Sequence, residues 1–208
     1  LSLSVSTLKD ADAQTKLGVA IVVDDVTEKK KLEARQEMFR RYLAPSVIER
    51  LPKDPKELRL GGIRQTISIL FADIRGYSTF SARIAPEALV EIINQYLSLA
   101  AQAILDHEGT LDKFIGDAVM AFFNAPAEQP DHALRAVRAA WRMRAAIREH
   151  HQQVDADRRL SFGVGLHVGE AVVGNIGTEK ALNYTAIGDA VNLAKRLQEG
   201  AEANQIVL

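Results

Sequence analysis

Thr110-Leu-Asp-Lys-Phe-Ile-Gly-Asp-Ala-Val-Met-Ala-Phe-Phe123 consists of two short apolar segments, Thr110–Ile115 and Ala118–Phe123, separated only by Gly116 and Asp117. Two strand-like runs joined by a two-residue glycine-containing turn read as a β-hairpin. On its N-terminal side, residues 86–107 open on Pro86 and end just before Gly109. Leu89, Ile92, Ile93, Tyr96, Ala100, Ala103 and Ile104 fall on one face of that stretch, which predicts a helix. A strand over Gln65–Ala72 precedes it. On the C-terminal side a second helix is predicted over Pro130–His151 and another strand over Leu160–Val168. The order is β-α-β-β-α-β, so the expected fold is α+β with a ferredoxin-like core, an antiparallel sheet carrying both helices on one face. Strand signals over Ala171–Ile176 and Asn183–Ile187, and a helix from Asp189 to about Glu199, add an extra hairpin and helix.

Further out, Leu1, Leu3 and Val5 alternate with serine and Gly18–Val23 is a β-branched run, which predicts an N-terminal β-hairpin fragment within residues 1–26. Asp25 followed by Glu28 is a D-x-x-E helix start. A linker helix region is expected over residues 27–60, where Leu32, Phe39 and Leu43 form a short apolar seam before Pro45, Pro52 and Pro55 break the chain. Leu1 opens directly in a strand pattern and the chain stops inside Gln205-Ile-Val-Leu208, so a piece of a longer protein is expected.

Composition narrows the function classes. The 208 residues are 47% hydrophobic and 25% charged, with 26 basic against 27 acidic side chains and a net charge of −1. That is an ordinary soluble profile and speaks against a generally basic nucleic-acid binder. Arg135, Arg138 and Arg142, with Arg144 and Arg148 nearby, do share one predicted helix. Only Trp141 interleaves and Glu149 intrudes, so a solvated face is the reading. The absence of cysteine excludes disulfides, thiolate metal sites and cysteine nucleophiles. The apolar run Gly18–Val23 is far short of the roughly 20 residues that span a bilayer, and residues 1–7 do not resemble a signal peptide. No membrane contact is expected for this stretch, and a cytoplasmic location is.

Three constellations carry chemistry. In Phe71-Ala-Asp73-Ile-Arg-Gly76-Tyr-Ser-Thr79, a carboxylate ends an apolar strand and a turn rich in glycine and hydroxyl residues follows. Successive backbone N–H groups in such a turn can cradle phosphate oxygens while the carboxylate holds a divalent cation. In the hairpin quoted above, Asp117 sits at the tight turn. If its strands flank the first one, Asp117 meets Asp73, and two carboxylates so close call for a metal, two Mg²⁺ or Mn²⁺ ions. In Asn183-Tyr-Thr185-Ala-Ile-Gly188-Asp-Ala-Val-Asn192-Leu-Ala-Lys195-Arg196, Asn192 and Arg196 are four apart and share a helix face. An amide beside a guanidinium suits a sugar oxygen and a phosphate that gains charge. His107, His167 and Glu170 lack spaced partners and are read as structural.

These stretches, with G-L-H-V-G-E-A-V-V-G-N-I-G over Gly165–Gly177, resemble the catalytic domain of class III nucleotidyl cyclases, in the family's order across residues 61–208. Residues L-G-V-A-I-V-V-D-D-V-T-E-K-K-K-L-E upstream are similar to the last strand and exit helix of a PAS sensor domain. The resemblance implies an adenylate cyclase with the palm-like fold of that family, turning ATP into 3′,5′-cyclic AMP and pyrophosphate in intracellular signalling. It implies that Asp73, Asp117 and the Ile74 carbonyl hold two metal ions, and that the backbone of Ile74, Arg75, Gly76, Tyr77 and Ser78 wraps the phosphates. Lys113 would donate to adenine N1, Thr185 would address the 6-amino group, Asn192 would orient the ribose, and Arg196 would stabilise the α-phosphate. Both halves of the site are in one chain, which implies a homodimer with two shared sites.

The departures matter. Many relatives carry Asp where Thr185 stands, and threonine there resembles the bicarbonate-stimulated branch, so bicarbonate is an expected activator. Guanylate cyclases place Glu where Lys113 stands; Glu accepts from guanine and an ammonium cannot. Some relatives have an Arg where Gly163 stands, and others contribute a basic residue from near their C-terminus that would lie beyond Leu208. Weaker phosphate binding is therefore expected. The rival readings are a guanylate cyclase and a catalytically silent regulatory domain of the same fold.

Overall fold

The computed structural model describes residues 2–9, 16–27, 29–31, 59–178 and 181–208. The chain divides into two compact units, Leu1–Leu43 and Ala44–Leu208. In the first, β1 (Ser2–Lys9) and β2 (Lys16–Asp24) pair antiparallel with Val5 opposite Ile21. Immediately after β2 the Asp25 carboxylate accepts the Thr27 amide at 2.9 Å, and the Lys30 amide reaches the Val26 carbonyl at 2.9 Å. Asp25 thus starts a helical turn, as its D-x-x-E setting predicts, and the Thr27 hydrogen bonds hold its carboxyl below the usual carboxylate range. The apolar seam of Leu32, Phe39 and Leu43 and the breaks at Pro45, Pro52 and Pro55 lie outside the described residues.

The second unit runs β3 (Gly61–Ile74), α1 (Tyr77–Ser81), α2 (Pro86–Leu105), β4 (Thr110–Ile115), β5 (Ala118–Phe123), α3 (His132–His150), β6 (Phe162–Thr178), β7 (Ala181–Ile187), α4 (Asp189–Gly200) and β8 (Ile206–Val207). The strands lie in the order β4-β5-β3-β6-β7, antiparallel throughout, and β8 adds in parallel to the start of β6. Four strands in the order β4-β5-β3-β6, with α2 and α3 as crossovers, are the expected ferredoxin-like core. The β4–β5 hairpin has the bounds read from the sequence. A difference lies in β6: the two signals over Leu160–Val168 and Ala171–Ile176 are one strand of 17 residues. Gly169 looks like a break in sequence, yet it pairs with Ile67 and the ladder runs through it.

Alternation along β3 divides the core in two. Leu70, Ala72 and Ile74 face α2 and α3, packing with Ile92, Tyr96, Ile104 and Met143. Ile67, Ile69 and Phe71 face the other way, onto Phe122, Val173, Ala190 and Ala194. A strand covered on both sides reads as an almost unbroken apolar run, which is what residues 67–72 are. Helix α2 is apolar and long enough to cross a membrane by length and composition, with mean hydropathy 1.3. Here Ile92, Tyr96, Leu97, Ala100, Ala103 and Ile104 bury one of its faces in the core.

Helix α4 approaches β6 almost backbone to backbone, and glycines make the room. A Cβ at Gly169 would stand 2.8 Å from that of Ala190, one at Gly165 would collide with the backbone of Ala194 and Gln198, and one at Gly163 would collide with the Arg75 guanidinium and Ala201 carbonyl. Gly165→Ala should therefore cost roughly 2–3 kcal/mol, since nothing flexible can yield. For a domain of this size that is a fall of about 4–12 °C in melting temperature, readable by circular dichroism. Gly200→Ala, with nothing within 4 Å of the added carbon, should melt at or slightly above the parent.

Candidate active site

Asp73 is the penultimate residue of β3, opposite Ala118 of β5 and Gly163 of β6. By alternation with Phe71 it faces α4. Asp117 occupies the β4–β5 turn, which Gly116 closes at φ 62°. Because Ala118 pairs with Asp73, Asp117 lies beside it, within hydrogen-bonding reach. Burial first, and the Asp73 charge next, push the Asp117 carboxyl up to about 6.

Two oxygen-donor groups that resist joint ionisation fit a hard divalent cation. Among the described residues no cluster of three or more His, Cys, Asp or Glu side chains gathers. The oxygen donors brought together here are the carboxylates of Asp73 and Asp117. Such a sparse set suits Mg²⁺, which keeps water or phosphate oxygens as its remaining ligands. Behind the pair, the buried Gln198 of α4 directs its side-chain amide at the Asp73 carboxylate, 3.4 Å away.

The loop after β3 has two characters. The Arg75 amide is engaged by the Ser161 carbonyl at 2.8 Å, and its guanidinium turns away from the loop to the Gln198 carbonyl, over Gly163. The slot that Gly163 leaves open is filled by Arg75. Gly76, at φ 74°, starts α1, whose first amide accepted within the helix is that of Phe80, bonded to the Gly76 carbonyl at 3.0 Å. The amides of Tyr77 and Ser78 lie in the first turn, where no helical carbonyl precedes them.

Lys113 on β4 and Thr185 on β7 sit at opposite ends of the strand order and 72 residues apart, yet they touch. Side chains of β7 reach across this face of the sheet to β5, with Tyr184 against Phe122 at 6.1 Å between ring centroids. The Lys113 ammonium donates to Thr185 Oγ1 at 3.2 Å. Thr185 in turn donates to Asp112 at 2.5 Å. Sequence reasoning missed Asp112; its only signal was a carboxylate next to Lys113 on a strand that should be apolar.

On α4 the buried residues are Ala190, Ala194 and Gln198. Asn192 and Arg196 lie about 180° around the helix from that face. Both are exposed, and among the described residues neither side chain has a hydrogen-bond or ion-pair partner. The same chain therefore holds its carboxylate pair under one face of α4 and presents its amide and guanidinium from the other.

The remaining candidates have local roles. His107 bonds the Ala103 carbonyl at 2.9 Å, and Glu170 meets Arg64 on the surface at 3.4 Å. Arg135 pairs with Asp131 and Glu108, Arg142 with Glu149, and Arg144 lies 4.2 Å over the Trp141 ring.

Comparison with known proteins gives a consistent picture. Residues 63–208 match the family described as the adenylate and guanylate cyclase catalytic domain. The chain is 35% identical over 161 residues to adenylate cyclase 1 of Rhizobium meliloti, covering 69% of this chain and 24% of that protein. Among solved structures it resembles the guanylyl cyclase Cya2 at 40% identity and TM-score 0.66, over 71% of this chain and 76% of that one. It also resembles the adenylyl cyclase CyaB from P. aeruginosa at 35% identity and TM-score 0.65, over 71% and 78% of the two chains.

The raised Asp117 makes a prediction about stability. Its proton is bound more tightly in the folded protein than in the unfolded chain, where the carboxyl ionises near 3.8. That contribution is complete below about pH 4 and is lost as pH rises through about 6. Asp117→Asn should remove the loss; because the side chain is partly solvated, the gain is about 1 kcal/mol. The variant should melt about 2–4 °C above the parent at pH 7 in chelator and show no gain at pH 4. A difference that is the same at both pH values would contradict the assignment.

Proposed function

Because the chain belongs to the adenylate and guanylate cyclase catalytic domain family, we propose that it is an adenylate cyclase. It converts ATP to 3′,5′-cyclic AMP and pyrophosphate at two sites shared between the subunits of a homodimer. The observation that carries the shared site is the opposition across α4: Asp73 meets its buried face through Gln198, while Asn192 and Arg196 point outward without partners. A second copy related by a two-fold axis would bring its own Asn192 and Arg196 to this chain's carboxylates, and the reverse.

In the reaction the ribose 3′-oxygen bonds to the α-phosphorus, the bond from that phosphorus to the β-phosphate oxygen breaks, and the 3′-hydroxyl proton leaves. Asp73, Asp117 and the Ile74 carbonyl would hold two Mg²⁺ or Mn²⁺ ions. Bound there, such ions favour ionisation of the 3′-hydroxyl and neutralise the triphosphate. The backbone amides of Gly76, Tyr77 and Ser78 suit phosphate oxygens. Lys113 donates to adenine N1 and Thr185 accepts from the 6-amino group. Asn192 fixes the ribose and Arg196 meets the charge that grows on the α-phosphate.

GTP is the second reading, and the 40% identity to the guanylyl cyclase Cya2 is what favours it. Against it stands Lys113, whose ammonium cannot accept the N1–H of guanine. A silent regulatory domain is disfavoured by the presence of Asp73, Asp117 and Arg196 together.

The regulatory reading goes further. Residues 1–26 are the end of a PAS-like sensor, residues 27–60 a signalling helix region and residues 61–208 the catalytic domain. Input would act by shifting one subunit on the other, since a site built from two chains tolerates displacements of only about 1 Å. Bicarbonate is the activator suggested by Thr185. ATP as substrate favours a cytoplasmic location, with cyclic AMP as an intracellular signal.

The test is product formation from ATP and GTP with Mg²⁺ or Mn²⁺, using chains carrying Asp73→Ala and Arg196→Ala separately and mixed. Each variant alone should fall by about 100-fold or more. An equal mixture should regain about a quarter of parent activity, because half the dimers are mixed and each has one intact site. A mixture as inactive as its components would overturn the shared site, and cyclic GMP as the main product would overturn the substrate.

A further inference from the structure

The β4 strand carries an irregularity beside the base-reading residues. Pairing passes from Leu111 opposite Ala121 directly to Lys113 opposite Met120, so Asp112 is an extra residue, a bulge. In a regular strand neighbours point to opposite faces; a bulge lets two consecutive side chains turn the same way. Asp112 and Lys113 both reach Thr185 for that reason. The Asp112 side chain is only 1% exposed. One of its oxygens takes the Thr185 hydroxyl, and the other is buried with no hydrogen bond, 3.3 Å from the Lys113 ammonium. Burial pushes the carboxyl above the ordinary carboxylate range, and the Thr185 hydroxyl and Lys113 ammonium offset only part of that rise. A buried carboxylate so placed is costly unless its partners are specific.

We propose that Asp112 is the positioning residue that makes this site choose a 6-amino purine, because it takes the hydroxyl proton of Thr185 and leaves that oxygen only lone pairs to offer. The inference rests on the adenylate cyclase reading and deepens it. A hydroxyl has one proton and two lone pairs. Here the proton goes to Asp112 and one lone pair accepts from Lys113. The second lone pair can take an N–H from the purine 6-position, which adenine has. Guanine and hypoxanthine carry an oxygen there, which offers no proton and meets the Thr185 lone pair unfavourably. A free threonine would serve either base; one whose proton is committed serves only a donor. Asp112 touches Thr185 and Lys113 rather than the reacting atoms, so it acts on the choice of base and not on phosphoryl chemistry.

The test compares three nucleoside triphosphates that differ at the purine 6-position: ATP, inosine triphosphate with a 6-oxygen and an N1–H that Lys113 opposes in parent and variant alike, and purine riboside triphosphate with only hydrogen there. Asp112→Asn keeps the shape but supplies an amide N–H that can bond Thr185 Oγ1 and free its proton. Expected are a fall of about tenfold in kcat/KM for ATP and a rise for inosine triphosphate, since one hydrogen bond changes from acceptor to donor. Purine riboside triphosphate should be affected less than about twofold. Thr185→Ser should keep the parent's preference and Thr185→Val should erase it, which tests the hydroxyl without altering Asp112. An equal loss on all three substrates, or an unchanged ratio of ATP to inosine triphosphate, would overturn the role of Asp112. If the parent chain makes no cyclic AMP from ATP, the substrate reading itself falls and this inference with it.

Discussion

The seat of α4 on β6 is the contact on which the rest of the site depends. It is close because Gly165 and Gly169 present no side chains to the helix, while the slot over Gly163 is taken by Arg75. That closeness fixes the rotation of α4: Ala190, Ala194 and Gln198 must face the sheet, since no larger buried set would fit. Once they do, Asn192 and Arg196 are turned to solvent by helical geometry alone. The separation of the Asp73–Asp117 pair from Asn192 and Arg196, on opposite sides of α4, thus follows from two missing Cβ atoms.

The same seat joins the two halves mechanically. Gln198 offers its side-chain amide to Asp73 and its carbonyl to Arg75. The end of β3 and the loop after it are thus tied to the helix that presents Arg196. A carboxylate that ligates a metal works best when its free oxygen is itself held, and Gln198 is placed to hold it. Meanwhile Asp73 and Asp117 oppose each other without a cation. The protein keeps them together because the β3–β5 ladder, not their own interaction, sets their separation.

Much of this was legible in the chain. The β4–β5 hairpin was read to the residue because its turn has only two positions, and β3 was read because its apolar run is nearly continuous. The order of elements then fixed the strand order. What could not be read depends on tertiary contact. Gly169 resembles a strand break, and only the helix above it explains why the ladder continues. Arg75 falls in the expected phosphate loop by sequence, but its amide and guanidinium are occupied by Ser161 and Gln198, partners far along the chain. Asp112 is hidden in the sequence because strict alternation aims it away from Lys113, and the bulge that turns it back is a matter of register.

Residue identity and residue state are different kinds of information. Lys113 carries its role in its type, since an ammonium only donates. Thr185 does not: its oxygen can give or take, and a motif containing threonine leaves the base undetermined. Its proton goes to Asp112, which reaches it because the bulge turns Asp112 to the same side as Lys113. A chain with the same Lys and Thr but a regular β4 strand would keep the motif and lose the polarity. On the proposed reading, substrate choice would rest on a backbone irregularity as much as on the side chains that touch the base.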